Sequence, residues 1–407
     1  MFSAQRIKMS FKPLCRLAVL TAVLFAAEMS AFAMDYADVR LQNSKQNIEG
    51  RFLDAIDLEG RRMFETRDRQ FFFIDSQKLI KTHSDKEPFA YYTQKETLAR
   101  LQKEFPESKG YYILDKQHFL VVYTTSRAFA NWYGRLLEKL YTGYVAYWKR
   151  EGIDLEAAKY PLVAVVMSSQ DSYLAYAENE GVKIPASVCA YYNQRTNRVV
   201  MYDMSGREKS NEGDRRRAKA KDIEVFLQQP GSYFNVATVV HEAAHQVGFN
   251  SGMHTRLAPN PVWVCEGLAT FHEVPDAKDS IGWSLGPRLN PERLVILKEI
   301  FKDKDRHPFE AVVVNDGLFM NEKTALTAYA AAWGLIYYLA NKKTDELAEY
   351  MNMLRKKTPE TEDSPKIRLR EFEQCFGNDW DKLYKDAGAF YLKAVRDEER
   401  KAKMQRQ

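Results

Sequence analysis

The stretch His241-Glu242-Ala243-Ala244-His245, with Glu266 following after twenty intervening residues, constrains this chain more than any other. On a helix, positions i and i+4 lie on one face, one turn apart. His241 and His245 can therefore reach one metal ion, and Glu242 beside them can poise a water for attack. Val236, Val239, Val240, Ala243, Ala244 and Val247 supply apolar surface for such a helix. Asn235 is placed to cap its start and Gly248 to end it.

Two histidines are too few ligands for a zinc ion, which needs at least one more protein donor. Glu266 is the best candidate. Asn260-Pro261 reads as the cap and first position of a second helix, which Pro275 closes. Thr270 and Glu273 share the face of Glu266 at i+4 and i+7. Metal-bound histidines donate their other N–H to an oxygen, and these two residues can supply one.

HExxH followed by Trp263-x-x-Glu266-Gly267-Leu268-Ala269 resembles the gluzincin metallopeptidases, the broad group holding thermolysin and aminopeptidase N. The resemblance implies one zinc ion per chain, held by His241, His245 and Glu266, with Glu242 as general base. Trp263 to Glu273 is especially similar to the second helix of the aminopeptidase type. More narrowly, the match resembles an exported bacterial family of unassigned function. It covers about residues 235–275, with weaker similarity to about 340. In aminopeptidase-like gluzincins a tyrosine opening a later helix stabilises the oxyanion. Tyr329, 63 residues after Glu266, takes that role by resemblance, with Tyr337 and Tyr338 as alternates. The group also packs a mixed sheet before its zinc helices, and the edge strand often holds extended peptide. A hairpin at about 188–203 is the candidate for that edge, or else an ordinary internal hairpin.

The chain departs from the group in places. The G-x-M-E-N motif of aminopeptidases is absent before HExxH, which favours endopeptidase over aminopeptidase. Gly248 creates HExxHxxG, the metzincin opening, but Ser251 stands where that pattern needs a histidine or aspartate. His254 is the displaced alternative ligand.

The rest of the chain frames this motif. Arg6, Lys8, Lys12 and Arg16 precede an apolar run from Leu17 to Ala27, and Ala31-Phe32-Ala33 is a small-x-small cleavage signal. Residues 1–33 therefore read as a secretory signal peptide and the protein as periplasmic, cell-envelope or extracellular. Removing them takes four basic residues and Glu28 from totals of 60 and 55, so the net charge falls from +5 to about +2. Arg215-Arg216-Arg217 lies among acidic residues without aromatics, so no nucleic acid is expected. No stable membrane insertion is expected after cleavage. Cys189, Cys265 and Cys375 form no metal-binding spacing, and Cys265 reads as a packed thiol.

Gly50–Leu53 and Phe71–Ile74 read as short strands, and Glu96–Phe105 as an amphipathic helix. Phe119–Tyr123 and Pro161–Met167 read as buried strands flanking a helix over Ser126–Lys149. Further helices are expected at Pro291–Phe301, Thr324–Ala340, Lys366–Gln374 and Asp379–Arg406. His272, His83, His118 and His307 receive no ligand role.

These readings predict an α+β chain in four parts. They are the signal peptide over 1–33, a small β-rich accessory region over 34–112, a gluzincin-like zincin core over 113–285, and a helical C-terminal subdomain over 286–407. The expected function is that of an exported zinc metallopeptidase acting on a peptide or protein substrate. The alternative is a non-catalytic cell-envelope binding or structural protein that retains the fold.

Overall fold

The computed structural model describes residues 33–404 apart from 42–43, 58, 206–218, 230, 277, 285–287 and 303–307. The expected signal peptide, apart from Ala33, and the basic triplet 215–217 thus lie outside the described residues. The chain is mixed α+β, with two sheets toward the N-terminus and a helical C-terminal part. No described helix is long and apolar enough to cross a membrane.

The first sheet is antiparallel: β1 (Ala33–Leu41), β2 (Ser44–Ile56), β3 (Arg62–Thr66), β4 (Phe71–Ile74) and β5 (Leu79–Pro88), in the order β4-β3-β2-β1-β5. Ala37, Val39, Ile48, Phe64 and Ile74 form its small core. Sequence patterning located β4 and part of β2. Polar and charged residues fill most of β5, whose side chains are largely exposed, so alternation gave no signal there.

The second sheet combines β6 (Tyr112–Asp115), β7 (Phe119–Tyr123), β8 (Leu162–Met167), β9 (Ala190–Asn193) and β10 (Arg198–Tyr202) in the order β6-β7-β8-β10-β9. The central pairs β7–β8 and β8–β10 are parallel, and the outer pairs are antiparallel. Both faces of this sheet are buried. Phe119, Val121, Leu162, Ala164 and Val166 enter the main core, whereas Leu120, Val122, Val165 and Met167 pack on the other side. That double burial is why the strands read as continuous apolar runs.

Helix α1 (Gln94–Glu104) contributes Leu101 to the far face, together with α3 (Gln170–Asn179). The boundary expected at 112/113 therefore falls inside β6, and α1 packs with the second sheet rather than the first. On the near face lies α2 (Arg127–Arg150), capped by the Ser126 side chain, which accepts from the Phe129 N–H at 3.1 Å. After α4 (Ala220–Leu227) come the two motif helices, α5 (Ser232–Asn250) and α6 (Val262–His272). The C-terminal part holds α7 (Pro291–Ile300), α8 (Pro308–Val314), α9 (Gly317–Met320), α10 (Ala325–Lys342), α11 (Thr344–Leu354), α12 (Pro365–Phe376) and α13 (Trp380–Met404).

Both ends of α5 differ from the expectation. It starts at Ser232, so Asn235 lies inside its first turn and donates to the Met204 carbonyl instead of capping. Gly248 does not stop it. A Cβ there would lie 3.0 Å from the Tyr144 hydroxyl and 3.3 Å from His254, so the glycine makes room for tertiary neighbours. Helix α6 starts one residue late. Pro261 occupies the cap position, and the carboxylate of Asp316, distant in sequence, accepts from the Val262 N–H at 3.1 Å. The Asn260 amide turns back to the Thr255 and Ala258 carbonyls.

Candidate metal centre

Helices α5 and α6 bring His241, His245 and Glu266 together. One donor atom from each lies within 4.8 Å of the other two. Nε2 of His241 is 3.1 Å, and Nε2 of His245 3.6 Å, from the same Glu266 oxygen. The three side chains are 13%, 11% and 18% exposed, which is buried enough to strengthen electrostatics and open enough for a ligand to enter. Two imidazoles and a carboxylate aimed at one point suit a divalent metal of zinc's type.

Beyond the three donors, Glu273 accepts from Nδ1 of His241 at 2.9 Å, as its spacing suggested. That bond fixes the ring and leaves Nε2 to face the cluster. Glu273 is itself held by the Asn290 amide at 2.9 Å, with the Arg293 guanidinium at 3.5 Å. Thr270 does not join this shell. Its hydroxyl donates to the backbone carbonyl of Glu266 at 2.6 Å, satisfying itself within its own helix.

Glu242 is fixed from outside its helix. The backbone N–H of Tyr192 on β9 donates to its carboxylate at 2.9 Å. Because β9 is the last strand of its sheet, this outward N–H has no strand to pair with and reaches the motif helix. The hairpin expected at 188–203 thus provides a true sheet edge beside the centre.

Tyr329 on α10 stands across the cleft, its ring 6.4 Å from that of His241. Its helix approaches α6 closely because residue 267 is glycine. A Cβ on Gly267 would lie 2.8 Å from the Ala332 carbonyl oxygen and 2.7 Å from Ile336. Tyr337 packs on Phe271 and Trp333, and Tyr338 on Phe390. Cavities of about 350 and 220 Å³ share His241, Glu242 and Tyr329 as lining residues.

Without metal, the electrostatics are those of a carboxylate-rich pocket. Burial works against charge on His241, but hydrogen bonds to Glu266 and Glu273 outweigh it and raise the ring well above its usual range. Burial opposes ionisation of Glu266 too, yet the charge of His245 and its bond to His241 hold it below the carboxylate range. Glu242 moves the other way: burial raises it, and the nearby histidines only partly offset that. For Tyr329, burial followed by the Glu266 charge keeps the phenol protonated.

Other side chains named from sequence stay outside the cluster. His254 is buried against Gly248 and Phe249, and burial lowers it to about 3. His272 accepts from the Trp148 indole at 3.0 Å. Cys265 lines the cleft as a free thiol, which burial and then Glu266 keep protonated; Cys189 and Cys375 are free as well. Tyr192, Asn290 and Arg293 were not singled out from sequence. The dipeptide Asn290-Pro291 carried a usable signal, since Asn290 does cap α7, but its bond to Glu273 depends on packing.

One family profile, described as Protein of unknown function (DUF1570), matches residues 235–361, from within α5 to just past α11. No curated protein matches the chain. The profile agrees with the unassigned-family part of the resemblance and assigns no activity.

Proposed function

We propose that this chain is a gluzincin-like zinc metallopeptidase. The observation that carries the reading is the convergence of His241, His245 and Glu266 beside a carboxylate, Glu242, that a sheet-edge N–H holds in the same cleft. His241, His245 and Glu266 would hold the ion, with Glu273 orienting His241. Bound there, zinc supplies Lewis acidity, lowering the pKa of water and polarising a carbonyl.

The protein's own groups account for the rest. Glu242, held by the Tyr192 N–H beside the cluster, is placed to accept a proton from water and return it to the leaving amine. Tyr329, kept protonated, donates a hydrogen bond where negative charge develops. The free side of β9 offers backbone groups to an extended peptide. Cavities on both sides of the shared residues give a bound chain room to continue in two directions, which favours endopeptidase over aminopeptidase action. Phe234 and Met320, 66% and 78% exposed, line one cavity each and favour apolar substrate side chains. The basic, apolar and small-x-small regions of residues 1–33 support export and action outside the cytoplasm.

Zinc content and cleavage of a peptide library, measured on residues 34–407 and on Glu242→Gln, test this function. The wild type is expected to hold about one zinc and to cleave, and the variant to keep its zinc and lose about 10²–10⁴-fold in rate. Equal cleavage by the variant would remove Glu242 from the mechanism. Zinc without cleavage of any peptide would favour the structural or binding alternative.

A further inference from the structure

Phe249 lines the metal cleft and also a second cavity of about 530 Å³ between the first sheet and the end of α5. This cavity has the opposite charge character. Its wall includes Glu65, only 1% exposed, which accepts from Arg51 at 2.9 and 2.6 Å and from Arg69 at 2.5 Å. A third guanidinium, Arg256, stands 4.0 Å away with its side chain 1% exposed. One carboxylate thus faces three buried or half-buried arginines.

The remaining partners of Arg256 carry no charge. It donates to the Gln194 carbonyl at 2.9 Å and to the Arg69 carbonyl at 2.7 Å, and lies 4.0 Å over the Phe71 ring. Among the described residues its Nε finds no acceptor, and neither does Nε of Arg69. Two more buried lining groups, Ser251 Oγ and His254 Nδ1, also have no partner among the described residues. At the mouth, Lys159 pairs with Glu156, and among the described residues the Arg355 guanidinium donates to the backbone carbonyl of Asp154. A buried charge without a counter-charge is costly, and guanidinium N–H groups match the oxygens of carboxylate and phosphate. Aromatic faces already hold the guanidiniums in place: Arg69 lies over Tyr91 and Tyr160, and Arg51 over Phe89.

We propose that this cavity binds a small molecule bearing an oxyanion, a carboxylate or a phosphate group, through Arg256 and Arg69. Its volume admits an organic acid or a phosphorylated metabolite as well as a free ion. The lining comes from the first sheet, from the segment after α2, from the end of α5 and from the segment after α11, so the ligand ties these parts together. Binding therefore stabilises the fold by mass action. The inference is independent of the peptidase reading.

Calorimetric titration of residues 34–407 with inorganic phosphate, and separately with succinate, at ionic strength fixed with sodium chloride, tests it. At least one is expected to bind saturably with a Kd of about 1 mM or tighter and to raise Tm. Phosphate alone would assign the phosphate class, and succinate alone the carboxylate class. Arg256→Gln is expected to weaken binding by about tenfold or more. Should that variant fail to fold, the double variant Lys159→Gln/Arg355→Gln at the mouth decides, with about a threefold loss expected from the reduced local charge. No saturable binding of either anion up to about 10 mM, or unchanged affinity in the folded variants, overturns the proposal.

Discussion

The metal cleft and the arginine cavity both concentrate charge in the interior, but with opposite surplus. Around His241 and His245 gather Glu242, Glu266 and Glu273, whereas around Glu65 gather Arg51, Arg69 and Arg256. The first arrangement favours a cation and the second an anion, for the same electrostatic reason. They also differ in how they are built. Two neighbouring helices supply all three candidate metal donors, which span twenty-five positions of the sequence. The arginine cavity draws on residues 187 positions apart, as the bond from Arg256 to the Arg69 carbonyl shows.

Chelation should separate the two sites most completely. A strong chelator is expected to abolish peptide cleavage while leaving phosphate or succinate affinity within about twofold, because the arginine cavity uses no metal donor. Parallel loss of both on chelation would mean that the cavity depends on the cleft for its shape. Next in size is Tyr329→Phe. It removes one hydroxyl from the cleft and is expected to lower kcat by about 10²–10³-fold with zinc content intact. An unchanged kcat would leave Tyr329 as a packed aromatic.

Glu273→Gln leaves the donor set intact but replaces the carboxylate behind His241. Competition against a calibrated chelator should show about 10–100-fold weaker zinc binding. Full affinity would mean that the helix alone orients the ring. The smallest effect concerns a buried histidine outside either site. Burial lowers His272 to about 3, below the roughly 6.5 of an unfolded histidine. As pH falls the unfolded chain is protonated first. The contribution of the neutral ring is therefore complete above about pH 6.5 and declines toward pH 3, by at most about 1.4 kcal/mol per pH unit. Urea midpoints at pH 7 and 5 should converge in His272→Gln, which keeps an acceptor for the Trp148 indole. An identical pH slope in the variant would show that other groups dominate acid unfolding.

How far each feature could be read from sequence follows the range of its interactions. The His241–His245 pair follows from helical period alone, and the start of α2 was expected within one residue, at Ser126, although its role as the cap was not foreseen. The ends of α5 and α6 were misjudged where distant residues intervene: Asp316 caps α6, and Tyr144 and His254 occupy the space beside Gly248. Glu273 makes the expected hydrogen bond to His241 and Thr270 makes none to either histidine, although both share a face with Glu266. A threonine hydroxyl can bond its own i−4 carbonyl, whereas the longer carboxylate of Glu273 reaches across to His241. In the first sheet β5 escaped notice because it is polar and short of alternation.

By itself the sequence determined the identity and spacing of the donors, the helices that carry them and the buried strands of the second sheet. These rest on backbone period and apolar patterning, which act over a few residues. Tertiary structure alone decided that Tyr192 would hold Glu242, that Gly267 would let α10 carry Tyr329 to the cleft, and that three arginines would converge on Glu65. Each depends on a contact between segments whose separation along the chain carries no periodic signal, so only the packed molecule contains it.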